Sequence, residues 1–438
     1  MSFLACTGVF SEDAANNKAV HGEETFFAEN GYRDAVELIY HPSGHHHNGT
    51  TYLAYEGTKR APFIVAYQHN TKQWTGPIKA GDNPLFVDDD GHGRPSIVVD
   101  DTGFIHVVFG GHGGPKYGKP KNDPGVNPFG TSGRGEQTHV VSVRPGDITE
   151  WKKVENISQH GTYSQFVKAD NGDLFLFYRH GTHKSDWVYQ RSSDHGNTFQ
   201  PPVIVLKHKT DSLDPRLHDS WYAHAFKGTN NSVHIAFVLH PCHEVNHSLL
   251  RRNVYYLKME LNEPVAWINA AGLKFPLPAD RDIADRQALV FDSNFTDVRS
   301  AIAKGDDHDR PHLIFRSTLP GQQSKVMHTR WTGDAWQELS APAHDRHSRS
   351  TDLHVSSAKD AMVVSNVGPV IPFTSTDGGV TWSEQSAVTS RHDQEWHISA
   401  QITGFHQDAR WVLVERRGGD DNSRLYLWGD NGFVRRTH

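Results

Sequence analysis

Hydrophobic and polar residues alternate along the chain in a strand pattern that recurs about every 60 residues. Each copy reads approximately x-D-x-x-G-x-Φ-x-Φ-x-Φ, where Φ is hydrophobic. The copies end at Tyr55, Phe109, Phe177, Phe237, Phe315, Val364 and Val414. Alternation with a period of two is typical of half-buried β-strands, and helical patterning is nearly absent. The sequence therefore predicts an all-β protein of about seven similar units.

A second marker repeats in step with the strands. Segments 192–199 (SSDHGNTF) and 375–382 (STDGGVTW) both fit S-x-D-x-G-x-T-[WF] and lie 183 residues apart. In such a turn Asp caps backbone N–H groups, Gly adopts a positive φ and the aromatic residue wedges between neighbouring units. Looser versions end at Trp74, Trp151, Trp267 and Trp336.

This turn is the Asp-box of β-propellers, and it indicates fold far better than activity. We therefore predict one domain over residues 1–438, a seven-bladed β-propeller with Asp-box (BNR-like) repeats. Residues 1–30 are expected to complete the last blade. Six or eight blades are the alternatives, because the first and last units are degenerate.

Segment 113–137 interrupts the repeat and is rich in Gly and Pro. It is the most basic stretch of a chain whose formal net charge is -7, which argues against a general nucleic-acid binder. Lys116, Lys119 and Arg134 in this segment are predicted to bind an anionic substrate. A long loop in a compact domain is usually functional or disordered, and a solvated surface loop is the alternative.

Reactive residues follow the recurring strand in three successive units, as His112, Arg179-His180 and His240. Corresponding strand ends of a propeller surround its axis, so these residues are expected to face one pocket. Five positions on such ends, or on the strand just before, are candidate catalytic residues: His92, His112, Tyr163, Arg179 and Tyr222. Any one of them alone is better explained as a structural side chain. Their shared placement favours an active site.

The runs 90–95 (DGHGRP), 109–112 (FGGH) and 221–224 (WYAH), with Tyr163 and Arg179, resemble polysaccharide lyase family 25, the ulvan lyases. Family 24 is a related propeller family. The resemblance implies cleavage of ulvan, a sulfated rhamnose–uronic acid polymer, by β-elimination at 4-linked glucuronate or iduronate. It implies the five candidates as the catalytic set. We further expect Arg94, His180 and Trp221 to bind substrate.

Elimination needs a cation or strong donor at the uronate carboxylate, a base for the C5 proton and an acid for the leaving oxygen. Arg179 suits the carboxylate, because guanidinium binds it through two parallel hydrogen bonds. Tyr163 is the expected acid, and Tyr222 is expected to orient the sugar. The base remains open among His92, His112 and Tyr163.

Segment 240–247 (HPCHEVNH) combines one Cys with three His residues, and a thiolate with imidazoles suits Zn²⁺. We predict a structural zinc held by His240, Cys242 and His247, with His224 as the fourth ligand. The alternative is a buried free Cys beside surface histidines. Since Cys6 and Cys242 are the sole cysteines, a disulfide framework is excluded.

Other functions fit the same fold. A sialidase-like glycosidase, a rhamnosyl-glucuronate lyase or hydrolase, and a non-catalytic glycan-binding propeller are the alternatives. A sialidase needs an arginine triad, which Gly93-Arg94-Pro95 matches poorly. The chain is expected to act as a monomer. It is expected to be secreted, at the cell surface or periplasmic, with its signal removed, because the polymer is too large to enter a cell.

Overall fold

The computed structural model describes residues 26–83, 91–111, 136–181, 185–243, 250–294, 296–318, 320–343, 346, 348, 350–389 and 395–436. Within these ranges the chain forms seven antiparallel sheets that follow one another in chain order. The prediction of an all-β, seven-bladed propeller is confirmed. In the described part of the chain, no helix is long and apolar enough to cross a bilayer.

The first strand, β1 (Phe26–Gly31), belongs to the last blade. Blades 1 to 3 have four strands each: β2 (Gly44–His47), β3 (Thr50–Glu56), β4 (Pro62–Gln68) and β5 (Gln73–Lys79); β6 (Ser96–Val99), β7 (Ile105–Gly110), β8 (Gln137–Ser142) and β9 (Trp151–Val154); β10 (Thr162–Lys168), β11 (Leu174–Arg179), β12 (Trp187–Ser192) and β13 (Val203–Leu206). A short 3-10 helix, Thr58–Arg60, lies between β3 and β4.

Blade 4 is the largest sheet that the described residues form: β14 (Lys209–Thr210), β15 (Leu217–Lys227), β16 (Ser232–His243), β17 (Arg252–Glu260), β18 (Ala266–Ile268) and β19 (Leu289–Phe291). Its helix α1 (Arg281–Gln287) begins after Asp280, whose side chain accepts a hydrogen bond from the Ile283 N–H at 3.1 Å. The remaining blades follow: β20 (Asp297–Gly305), β21 (Pro311–Thr318) and β22 (Lys325–Arg330); β23 (Thr351–Val355), β24 (Ala361–Asn366), β25 (Val370–Ser375) and β26 (Ser383–Glu384); β27 (Glu395–Ile398), β28 (Trp411–Arg416), β29 (Ser423–Gly429) and β30 (Gly432–Phe433).

The ring closes because the last blade takes strands from both ends of the described chain. Strand β1 pairs antiparallel with β29, so that Phe26 lies opposite Tyr426 and Gly31 opposite Ser423. A parallel bridge between His45 and Thr403 also joins the first and last blades. Closure leaves few exposed strand edges, which would otherwise invite pairing with other chains.

The two predicted Asp-boxes form the expected turns. Asp377 accepts hydrogen bonds from the Thr381 N–H and hydroxyl, and Ser375 donates to the same carboxylate. Gly379 has a φ of 82°, and a Cβ there would lie 2.1 Å from the His328 ring. The indole N–H of Trp382 donates to the Ser340 hydroxyl, which lies between blades 5 and 6. The turn therefore locks one blade against its neighbour.

The middle strands of the blades are buried on both faces. Every residue of β7 and of β11 is buried, as is all of β16 except its last residue. One hydrophobic cluster joins blades 1 and 2, and a larger one joins blades 3 and 4. Because blade faces are covered by neighbouring blades, side chains can reach a ligand mainly from the first strands and from strand ends.

Candidate active site

A cavity of about 380 Å³ lies where the first strands of several blades converge. It is lined by residues of β10, β15, β20, β21, β23 and β27 and by segment 34–39. Three of the predicted catalytic side chains, His92, Tyr163 and Tyr222, line this cavity. The expectation that strand ends gather around one axis therefore holds for these three residues.

Tyr163 is directed into the cavity by an irregularity of β10. Its φ is 63°, which is uncommon for a residue other than glycine, and the β10–β11 register shifts between Thr162 and Gln165. Bulges of this kind re-aim a side chain next to active sites. The Tyr163 ring contacts the rings of Tyr222 at 5.5 Å and His92 at 5.7 Å between centroids.

Arg179, the last residue of β11, is fully buried behind the two tyrosines. Its guanidinium carbon lies 4.8 Å from the ring centre of Tyr163 and 5.4 Å from that of Tyr222. None of its three guanidinium nitrogens has a hydrogen-bond partner among the described residues. A buried cation without such a partner is costly, which makes this position a candidate for a functional role.

The surroundings of Tyr163 and Tyr222 shift the pKa values of the two side chains in opposite directions. Burial and the neighbouring Tyr222 raise the pKa of Tyr163 well above its ordinary value. Burial also acts to raise the pKa of Tyr222, but the cations of Arg179 and Arg251 and hydrogen bonds with Arg251 and Tyr163 outweigh it, so this pKa is lowered. Tyr163 is therefore kept protonated, while Tyr222 gives up its proton more readily than an ordinary tyrosine.

Arg94, His180 and Trp221 do not line the cavity, and their predicted contact with substrate needs correction. The Arg94 guanidinium donates to Glu37 and to the Gly91 carbonyl, both at 2.8 Å. His180 is buried 2.7 Å from the Ser158 hydroxyl. The Trp221 ring lies in the core between blades 3 and 4. Adjacent residues of a strand point to opposite faces of the sheet. Tyr222 faces the cavity, so Trp221 points into the core.

Four further candidates, His112, Lys116, Lys119 and Arg134, lie outside the described residues, as does His247 of the predicted zinc site. Of the remaining zinc candidates, His240 and Cys242 share one face of β16. His224 lies opposite Ala236, six positions along β16 from Cys242, or about 20 Å at the usual rise per residue. His224 lines the cavity instead, so its prediction as the fourth zinc ligand is wrong.

A different pair of imidazoles accompanies Cys242. His218 lies directly opposite Cys242 in the β15–β16 register, and the ring of His208 stacks on that of His218 at 5.3 Å. Cys242 is buried, which excludes solvent from its thiol. A thiol and two imidazoles are donor types that suit zinc, but the ligand atoms of these three residues do not all lie within 4.8 Å of one another.

The cavity residues that the sequence reasoning missed include three arginines, Arg251, Arg299 and Arg316. Burial and the neighbouring cations Arg299 and Arg251 lower the pKa of Arg316 to about 10. The three guanidinium groups make this wall basic, which favours an anionic ligand, although Arg299 pairs with Asp297 and the carboxylates of Asp34 and Glu37 also line the cavity. A signal for one of them existed, because Arg316 follows Phe315 at the end of a recurring strand, as Tyr178-Arg179 follows Phe177.

Comparison with known proteins gives matches over nearly the whole chain. A family model described as BNR repeat-containing family member matches residues 50–343. The chain is 35% identical to an ulvan lyase of Nonlabens ulvanivorans over 461 aligned positions, covering 99% of this chain and 95% of that protein. It is 34% identical to Ulvan Lyase-PL25 of Pseudoalteromonas sp. (strain PLSV), covering 99% and 92%.

A solved structure of a polysaccharide lyase PL25 ulvan lyase, bound to -[GlcA(1-4)Rha3S]-, matches with a TM-score of 0.85 at 34% sequence identity. The match covers 94% of this chain and 97% of that one. The same overall architecture therefore extends across both chains.

Proposed function

The chain belongs to the ulvan lyases of polysaccharide lyase family 25, and on that premise we propose that it cleaves ulvan by β-elimination at 4-linked uronates. The product would carry a 4,5-unsaturated uronate at its new non-reducing end. The observation that carries this proposal is the buried guanidinium of Arg179, which has no hydrogen-bond partner among the described residues. It faces the rings of Tyr163 and Tyr222 at the cavity wall, and the pKa values of these two tyrosines are shifted in opposite directions.

The reaction breaks the C5–H bond and the C4–O4 bond and forms a C4=C5 double bond. A base takes the C5 proton, and an acid delivers a proton to O4 as it leaves. Tyr163 is proposed as the acid, because its raised pKa keeps the phenol protonated at neutral pH. His92, which contacts the Tyr163 ring from the cavity wall, and His112 are proposed as bases.

Charge on the uronate must be offset as the C5 carbanion develops. Arg179 is proposed to act through the tyrosines, since its guanidinium is fully buried behind them. Arg251 lies nearer the cavity, with its guanidinium carbon 4.2 Å from the ring centre of Tyr222. We propose that Arg251 contacts the carboxylate while Tyr222 orients the sugar and accepts the Tyr163 hydrogen bond.

The remaining cavity arginines are proposed to hold the sulfated polymer. Arg299 and Arg316 come from neighbouring strands of blade 5, so they line one side of the cavity. Arg316 donates to the Ser300 hydroxyl at 3.1 Å, which orients its guanidinium. Lys116, Lys119 and Arg134 are proposed to extend this basic surface, because they precede β8 in the segment that follows His112.

A structural zinc is proposed beside the catalytic cavity. Cys242, His218 and His208 would hold it, together with His240 or His247 from the same His-rich segment. Zinc bound there would fasten the β15–β16 hairpin that carries Tyr222. Metal analysis tests this, and a Cys242→Ser variant that keeps the full zinc content would disprove the thiolate ligand.

The enzyme is proposed to act outside the cytoplasm as a monomer. Its polymeric substrate is too large to cross a membrane. Fractionation of the native host and the sedimentation coefficient of the purified protein test these two statements.

The deciding experiment is incubation with ulvan while near-ultraviolet absorbance is recorded. A rise in absorbance, from the new C4=C5 bond conjugated with the carboxylate, is expected. New reducing ends without absorbance would mean a hydrolase, as for a sialidase-like or rhamnosyl-glucuronate glycosidase. Binding without either product would leave a glycan-binding propeller.

A further inference from the structure

A second cluster of metal-ligating side chains lies far from Cys242, at the seam where blade 1 meets blade 7. His69 follows the last residue of β4 in the first blade. His406 and Asp408 lie in the connection between β27 and β28 of the last blade. The seam itself is held by main-chain bonds, in which Thr403 accepts from the His46 N–H at 2.9 Å.

The three side chains converge closely. Each offers one ligand atom, and these atoms all lie within 4.8 Å of one another. The rings of His69 and His406 have centroids only 3.9 Å apart. The ring of His46 lies 5.1 Å from that of His69 and 5.6 Å from that of His406. Three imidazoles and a carboxylate therefore share one partly buried corner.

A buried hydroxyl orients two of the rings. The Thr51 Oγ1 atom lies 2.8 Å from His69 Nε2 and 3.0 Å from His46 Nδ1. A hydrogen bond at one ring nitrogen sets the direction of the other, which is how bound imidazoles are commonly held at metal centres. Thr51 would thus not bind the metal itself but would fix the orientation of the imidazoles beside it.

We propose that His69, His406 and Asp408 bind a divalent transition-metal cation of the Zn²⁺ type, with His46 beside them, and that this cation clamps the first blade to the last. Two imidazoles and one carboxylate leave room for a fourth ligand, either water or the imidazole of His46. Because residues 69 and 406 are distant in sequence, the clamp would secure the first blade against the last one, which strands from both ends of the described chain complete together.

Metal content separates this site from the proposed thiolate site. Full-length protein is stripped with a chelator, equilibrated with Zn²⁺, dialysed and assayed for bound metal. A Cys242→Ser variant is expected to retain the seam equivalent, and adding His69→Ala or Asp408→Asn should remove it. His47→Ala is the matched control, because His47 neighbours His46 on β2 and points to the opposite face. Equal zinc content in Cys242→Ser with and without Asp408→Asn would overturn the proposal.

Co²⁺ substitution gives a readout that does not depend on folding of a ligand variant. In Cys242→Ser, bound Co²⁺ is expected to show visible d–d bands without a sulfur charge-transfer band. Thr51→Val, which keeps the shape of the side chain, should weaken Zn²⁺ binding about 10- to 100-fold. In the Cys242→Ser background, Zn²⁺ should also raise the melting temperature, with or without His47→Ala, but not when Asp408→Asn is added. Absence of d–d bands, or an unchanged affinity in Thr51→Val, would contradict the site.

Discussion

The guanidinium carbon of Arg179 lies 4.8 Å from the ring centre of Tyr163, and no atom of that guanidinium is bound by another described side chain. A cation in this position stabilises negative charge on either tyrosine ring of the pair. A buried charge that no described side chain hydrogen-bonds is costly to the resting protein. This cost agrees with the catalytic role proposed above for the arginine and the two tyrosines.

Tyr222 should ionise below the ordinary tyrosine pKa of 10 in the free enzyme. Ultraviolet difference titration is expected to show one such tyrosine, absent in Tyr222→Phe. Because the Arg179 cation stabilises the phenolate, Arg179→Met should move this ionisation to higher pH. If the Tyr222 ionisation stays at the same pH in Arg179→Met, the Arg179 cation does not lower the pKa of Tyr222.

Tyr163→Phe should lower kcat by roughly 10²- to 10⁴-fold, the usual contribution of a positioned acid, with KM little changed. The phenol is lost while the ring, which packs against Tyr222 and His92, is kept. Tyr189→Phe is the matched control, since Tyr189 packs against Phe177 outside the cavity. Near wild-type turnover of Tyr163→Phe on ulvan would disprove its role.

Arg316→Met should raise KM for ulvan by about 10- to 100-fold, because hydrogen bonds to charged groups are worth about 1.5–3 kcal/mol. The variant should also depend less steeply on salt, since one cation no longer attracts the polymer. Arg310→Met, on an exposed turn, should leave both quantities unchanged. If Arg316→Met lowers kcat and leaves KM unchanged, Arg316 takes part in the chemical step instead.

Gly379→Ala should destabilise the fold more than Gly418→Ala does. Both glycines have φ near 80°, so each substitution carries about 1–2 kcal/mol of backbone strain. The Cβ at position 379 would also lie 2.1 Å from the His328 ring, whereas nothing lies within 4 Å of one at position 418. Overpacking adds roughly 1–3 kcal/mol, measurable by urea unfolding. Equal destabilisation would mean that His328 moves freely.

The protein should lose stability steeply as pH falls from about 6.5 to 4. Burial lowers the pKa of His312 to about 3 and those of His224 and His180 to about 4. The unfolded chain therefore binds more protons than the folded one in this range, and stability rises with pH. Each such group contributes up to about 1.4 kcal/mol per pH unit.

Unfolding free energies at several pH values check this slope. Replacing His312 by Asn should reduce the slope by about one proton, whereas replacing the exposed His195 by Asn should not. Equal slopes in wild type and His312→Asn would show that His312 is protonated in the folded state.

Local patterns in the sequence were sufficient for the fold and for much of the site. The period-two alternation and the turn at Ser375–Trp382 depend on neighbouring residues, so they predicted strands, blade number and blade contacts. The rule that strand ends converge found His92, Tyr163 and Tyr222 at the cavity and Arg179 behind them. Applied to the fifth unit, the same rule would have found Arg316.

Which face of a strand meets the cavity was decided only by the tertiary structure. Adjacent side chains point to opposite faces, so the core position of Trp221 and the cavity position of Tyr222 depend on how blade 4 packs against its neighbours. Strand register likewise separated His224 from Cys242, although the two are close in sequence. The sequence determines which side chains exist near a strand end, whereas their partners depend on contacts between blades that are distant along the chain.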